Sequence, residues 1–139
     1  MIDREVLLDT GPLVALFIRR DQWHGPCREA WNELADRCVT TEPVVVEASH
    51  IVAERGGRRA WPLELLIAAG VPIVALHLPV HRQCAVLMRT YADTPMDYAD
   101  ATLVALSDIL GIRRVFTTDR RGFATYRGAR GVPFEVLPK

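Results

Sequence analysis

The chain has 139 residues, 50% of them hydrophobic, with 17 basic residues balanced by 17 acidic ones and a formal net charge of zero. Such a chain fits one compact domain spanning residues 1–139, with enough apolar material for a core and no room for a second. Its opening, MIDREVLLD, places acids before any apolar run has formed, unlike a secretory leader, and no apolar run approaches the roughly 20 residues of a membrane span, so the expectation is a soluble, cytoplasmic protein with no membrane partner.

In chain order, EVLLD (5–9) predicts a short buried strand, and TGPLVALFIRR follows as a helix with Thr10 or Gly11 at its cap and Pro12 at the first helical position. Residues 24–37 predict an amphipathic helix, since Cys27, Ala30, Trp31 and Leu34 recur at steps of three and four. CVTT (38–41) reads as a second strand, after which Pro43 opens PVVVEASHIVAERGG, a helix stopped by Gly56 and Gly57. RRAWPLELLIAAG (58–70) is a short helix, PIVALHL (72–78) a third strand, and residues 80–93 and 97–110 two further helices, the second closed by Gly111. RRVFTTD (113–119) supplies a fourth strand, RRGFATYRG (120–128) a short helical connection, and FEVLP (134–138) a final strand at an edge. Strands alternating with helices predict an α/β fold, a three-layer α/β/α sandwich around a mostly parallel sheet of four to five strands.

Several residue types carry little. Cys27, Cys38 and Cys84 are odd in number, widely spaced and never in a C-x-x-C pair, which fits buried, inert thiols and neither a disulfide framework nor a zinc site. His77 and His81 have i, i+4 spacing, but Pro79 between them argues against a helical metal pair. All basic residues except Lys139 are arginine. That suits a phosphate-binding surface without an overall positive charge, and taken alone it better suits a GC-rich genome.

The acids carry more, because binding and chemistry in open parallel sheets gather at the carboxyl ends of the strands. Asp9 ends the first strand, Glu47 lies about one turn into the helix after the second, Asp97 and Asp100 stand in the first turn of another helix, and Asp119 follows VFTT. All five fall on one rim. Asp97 alone serves equally well as an answer to its helix macrodipole, whereas Glu47 follows three valines on a face that looks packed, where an unpaired charge is costly. Two unit charges about 4 Å apart repel by roughly 4 kcal/mol at an effective dielectric near 20. Converging carboxylates therefore call for a cation, and hard oxygen ligands suit Mg²⁺ or Mn²⁺. Arg19, Arg20, Arg120 and Arg121 flank the rim in sequence and are candidate contacts to a nucleic-acid backbone.

LLDTGPLVALF (7–17), TTEPVVVEASHIV (40–52), MDYADATLVALSD (96–108) and FTTDRRGFATYR (116–127), in this order and spacing, resemble the PIN-domain family, specifically the VapC-type toxins of type II toxin–antitoxin systems. The resemblance implies a PIN-like sandwich and a Mg²⁺- or Mn²⁺-dependent endoribonuclease that cuts RNA with a metal-activated water. It puts the four family acids at Asp9, Glu47, Asp100 and Asp119, with Asp9, Asp100 and Asp119 as metal ligands and Glu47 acting directly or through water. Asp97 matches an additional acid, Thr10 the hydroxyl beside the first acid, and Thr117 or Thr118 the threonine before the fourth, with Thr118 taken as the supporting one. Related sequences often carry an acid where this chain has Gly122, which puts any further carboxylate at that edge in doubt. The resemblance also implies a homodimer and a cognate VapB-type antitoxin across the acidic groove, and Trp23, Trp31, Val52 and Trp61 are candidates for either face or for the core.

Competing readings are weaker. A non-enzymatic, receiver-like Mg²⁺ switch requires a lysine near the site, and the only lysine is Lys139. Haloacid dehalogenase-type phosphatases want an aspartate where Gly11 stands, and the phosphate-cradling G-x-x-x-x-G-K pattern is absent. A PIN-domain RNA-processing nuclease without an antitoxin is the remaining alternative.

Overall fold

The computed structural model describes residues 2–139. Strand β1 (Val6–Leu8) is wholly buried, and it leads into helix α1 (Thr10–Ala15) and then α2 (His24–Leu34). After a 3-10 turn at Ala35–Arg37 come β2 (Cys38–Thr41), α3 (Glu42–Glu54), α4 (Trp61–Ala69) and β3 (Ile73–Val74). The chain continues through α5 (Leu78–Thr90), α6 (Tyr98–Leu110), β4 (Arg114–Phe116), α7 (Arg120–Thr125) and β5 (Glu135–Leu137). The sheet order is β3-β2-β1-β4-β5 and every pairing is parallel, with Leu7 registered on both Val39 and Val115. The expected α/β sandwich with a parallel sheet is therefore present, with β5 at one edge as predicted.

The strand order explains the layers. The chain steps from β1 to β2 to β3 in one direction, then returns to β4 and β5 on the far side of β1. Because parallel crossovers are right-handed, that reversal puts connecting helices on both faces of the sheet. Central strands covered on both sides read as continuous apolar runs, which is why Val6, Leu7 and Leu8 are all fully buried. The reversal also opens a crevice beyond the carboxyl ends of β1 and β4, the usual ligand position in such sheets.

Helix α6 is the main internal support. Ala101, Leu103, Val104, Ala105 and Leu106 are essentially without solvent contact, and burial of each leucine contributes roughly 1.5–3 kcal/mol. Asp97 caps its start, and Gly111, at φ 69°, ends it in the left-handed conformation that glycine adopts without strain.

Several expected boundaries differ: α1 is capped by Asp9 rather than by Thr10 or Gly11 and ends at Ala15 instead of running to Arg20. The third strand is two residues long instead of seven, and α5 begins at Leu78 with Pro79 in its first turn, because proline is as good a helix starter as it is a strand breaker. The valines opening α3 do not form a packed face: Val44 is buried while Val46 is 69% exposed. Cys27, Cys38 and Cys84 are free and buried, and burial pushes the Cys27 thiol up to about 11 and that of Cys38 to about 12, which makes them inert. Among the described residues no helix is long and apolar enough to cross a membrane.

Candidate active site

Asp9 occupies the junction where β1 becomes α1. Its backbone N–H donates to the Phe116 carbonyl (3.0 Å), extending the β1–β4 ladder by one bond, and its side chain is only 4% exposed. A buried carboxylate requires donors, and Thr117 supplies one: its hydroxyl donates to Asp9 Oδ2 at 2.7 Å and accepts the Asp119 N–H at 2.9 Å. One hydroxyl thus ties together two acids 110 positions apart. Thr118 has another part, because its hydroxyl packs over Gly11 so closely that a Cβ at that glycine would lie 2.0 Å from Thr118 Oγ1. Gly11→Ala is expected to displace the β4–α7 turn and to destabilise the fold by about 1–3 kcal/mol; urea unfolding of the variant checks this, and an unchanged midpoint would contradict the contact.

Asp97 and Asp100 form a reciprocal capping box at the head of α6. The Asp100 N–H donates to Asp97 Oδ1 (2.8 Å) and the Asp97 N–H to Asp100 Oδ2 (3.2 Å). Asp119 similarly caps α7, accepting the Gly122 N–H at 3.0 Å. A Cβ at Gly122 would come within 2.3 Å of Asp119 Oδ2 and 3.0 Å of Tyr126 Cε2. An acid at position 122 would therefore force Asp119 to swing away; in this chain a backbone N–H does the holding.

The charges meet at Asp9, which feels Asp97 and Asp119 and is felt by both Glu47 and Asp100. Burial raises the Asp9 carboxyl to about 6, with the charges of Asp97 and Asp119 adding to it. Glu47, half-buried on α3, is raised by burial, by its hydrogen-bonding contact with Asp97 and by the charge of Asp9. Asp100 is raised by burial and then by Asp9 and Asp97. Beneath them lies Tyr126, fully buried, its hydroxyl donating to the Pro95 carbonyl (2.9 Å). Burial pushes its phenol above the usual range, and the charges of Asp100, Asp119, Asp97 and Asp9 push it further. Tyr126 braces both acidic turns, a role that only the folded chain reveals.

Among the described residues none of Asp9, Glu47, Asp97, Asp100 and Asp119 has a salt-bridge partner. The Thr10 hydroxyl, buried beside Glu47, makes no hydrogen bond of normal geometry. An uncompensated set of hard oxygen donors fits Mg²⁺ or Mn²⁺ chemically. Among the described residues no three acidic, cysteine or histidine side chains already converge on one ion-sized point. The reason is visible in the caps, which hold Asp97, Asp100 and Asp119 against backbone N–H groups.

A pH dependence follows. Asp9, Glu47 and Asp100 all bind protons more tightly folded than unfolded, so between about pH 4 and 6, and above for the others, the native state holds more protons and stability falls as pH rises. Asp9 alone accounts for roughly 3 kcal/mol, fully present below its unfolded value of 3.8 and lost as pH passes about 6. Denaturant melts in EDTA at pH 4.5 and 7.5 are expected to show the lower-pH form more stable; the reverse order would rule out the clustering.

The four arginines diverge. Arg121 lines a cavity of about 170 Å³ with Asp119, Gly122 and Tyr126. Arg120 instead donates to the Pro138 carbonyl and stacks over Trp23, 5.0 Å from the ring centroid. Arg20 donates to the Arg55 carbonyl (2.8 Å), and Arg19 lines a separate cavity with Trp31 and Trp61. Val52 is core, whereas Trp23, Trp31 and Trp61 are half-buried, Trp61 stacking on Phe17 at 5.7 Å.

A family model described as PIN domain matches residues 6–129. The chain is 31% identical over 135 residues to Ribonuclease VapC26 of Mycobacterium tuberculosis, covering 96% of this chain and all of that protein. Among solved structures it is similar to Mycobacterium tuberculosis VapC20, described as a sarcin-ricin loop cleaving toxin, with a TM-score of 0.73 at 19% identity over 80% of this chain and 87% of that one. It is also similar to a toxin–antitoxin complex from Klebsiella pneumoniae, with a TM-score of 0.63 at 16% identity over 87% and 92% of the two chains. At these identities the structural likenesses show the fold alone.

Proposed function

The chain belongs to the PIN-domain family, in its VapC ribonuclease branch, and from that premise we propose that it is a Mg²⁺- or Mn²⁺-dependent endoribonuclease, the toxin of a type II toxin–antitoxin pair. The observation that carries the proposal is the set of five carboxylates at the strand ends and helix starts, with Asp9 buried among them and, among the described residues, no salt-bridge partner for any of them.

In this reading Asp9, Asp100 and Asp119 hold the cation, which when bound neutralises charge at the scissile phosphate and acidifies the attacking water. Thr117 keeps Asp9 oriented by donating to one carboxylate oxygen, leaving the other for the ion. Glu47 orients the water, with Thr10 and Asp97 beside it. Tyr126 holds the Asp97 and Asp119 turns at fixed separation. Arg121, beside Asp119, is the arginine placed to meet a phosphate of the RNA strand.

The whole chain acts as one domain of this kind, in the cytoplasm, as a homodimer silenced by a VapB-type antitoxin. The relative named as a ribonuclease along its full length supports the activity, and the toxin–antitoxin title of one similar structure supports the type of partner. The test is to incubate purified, antitoxin-free protein with total RNA, with Mg²⁺ or with EDTA, and to map new 5′ ends. Discrete ends that require the cation are expected; intact RNA under every metal condition would refute the proposal.

A further inference from the structure

A cavity of about 590 Å³ opens beside the acids, at the carboxyl rim of β2 and β3. It shares two walls with the cluster, Glu47 and Asp97, while its remaining lining is of another kind. Val46 and Leu76 give it an apolar floor, and Tyr98, the residue after Asp97, stands over it at 38% exposure. The Tyr98 hydroxyl bonds His81 Nδ1 at 2.6 Å, with ring centroids 5.9 Å apart, so α5 holds the phenol ring through a side chain that also lines the cavity. Glu42 completes the rim, and among the described residues it has no salt-bridge partner.

Three carboxylates around this opening repel a phosphate, so an RNA strand whose backbone is engaged at the neighbouring acids cannot run its phosphates through it. What fits is flat, neutral and rich in N–H donors. Single-stranded RNA offers such a group in an unstacked base, and proteins take such bases by stacking on aromatic rings and bonding the base edge. Guanine presents two adjacent donors, N1–H and the N2 amino group, to a carboxylate. Uracil presents one donor between two carbonyl acceptors, which carboxylates repel.

We propose that the Tyr98 and Glu42 cavity is a nucleobase subsite that takes one unstacked base of the RNA strand beside the scissile phosphate, preferring guanine and rejecting uracil. The proposal rests on the ribonuclease reading for the strand but not for the discrimination, which is a property of binding. Tyr98 supplies the stacking face, Glu42 the paired acceptors, and His81 fixes the phenol ring.

The experiment measures fluorescence-anisotropy affinities of the Asp9→Asn protein, which holds RNA uncut, for a uridine decamer with one internal position varied among the four bases. The guanosine decamer is expected to bind about tenfold tighter than all-uridine. Tyr98→Ala should erase that difference, Glu42→Gln should shrink it, and far-UV circular dichroism reports that both variants fold. Equal affinity for all four bases, or a preference that survives both substitutions, overturns the subsite and leaves the cavity to a peptide ligand. Cleavage of the same decamers by the parent protein is scored separately. Base discrimination without metal-dependent cleavage would break the nuclease reading alone, and cleavage without discrimination would break the subsite alone.

Discussion

Asp9→Asn is expected to lower RNA cleavage by about a thousandfold or more while the metal-free protein melts at a higher temperature than its parent at neutral pH. Both effects have one origin. Asp9 is almost fully buried, its carboxyl is raised to about 6 by that burial, and it feels the charges of Asp97 and Asp119. Asparagine keeps an oxygen to accept the Thr117 hydroxyl, so the β1–β4 junction is retained. It removes the charge that a divalent cation needs and, in the same stroke, the charge that the apo fold tolerates poorly. A loss of activity with an equal loss of stability would mean that Asp9 is structural, and full cleavage by the variant would remove it from the site.

The second large effect is stabilisation by the ion itself. Mn²⁺ or Mg²⁺ at a hundred times its dissociation constant should stabilise the folded parent by about 2.7 kcal/mol, a rise in melting temperature of roughly 8 °C for a chain of this size. EDTA should reverse it. In Asp9→Asn the rise should shrink to a third or less, because one of three proposed ligands and much of the repulsion are gone. Calorimetric scans with and without the cation decide this, and a parent curve that does not move would count against a metal centre. The two predictions are coupled: removal of charge by mutation and neutralisation of charge by an ion relieve the same repulsion, so their stabilising effects should not add.

The apo arrangement explains why the ion is expected to do structural work. Asp97, Asp100 and Asp119 each satisfy a helix N-terminus, and a cap contributes about 1 kcal/mol. Gathering Asp100 and Asp119 around a cation therefore competes with their caps. The small α7, six residues long and capped by Asp119 alone, is the element most exposed to that competition.

Much of this molecule was legible along the chain. Strand and helix order, the parallel sheet, the edge position of residues 135–137 and the placement of Asp9, Glu47, Asp97, Asp100 and Asp119 at strand ends or within the first two helical turns all follow from short-range rules: apolar runs, helical periodicity, caps, and proline and glycine as punctuation. Those rules act within a few residues, so the sequence displays them directly. The same rules drew β3 too long and started α5 two residues late, because Pro79 can end a strand or begin a helix.

What only the tertiary structure decided is which distant residues meet. That Thr117 holds Asp9 while Thr118 fills the space over Gly11, that Arg120 is drawn to Pro138 and Trp23 while Arg121 stays beside Asp119, that Tyr126 braces the acids from below and that Tyr98 and His81 close a cavity next to them are all contacts through space. The order β3-β2-β1-β4-β5 creates them by placing the end of the first strand against the end of the fourth. Sequence sets the local conformations because they depend on neighbours in the chain; the site's partners depend on neighbours in the sheet, and those exist only once the chain has folded.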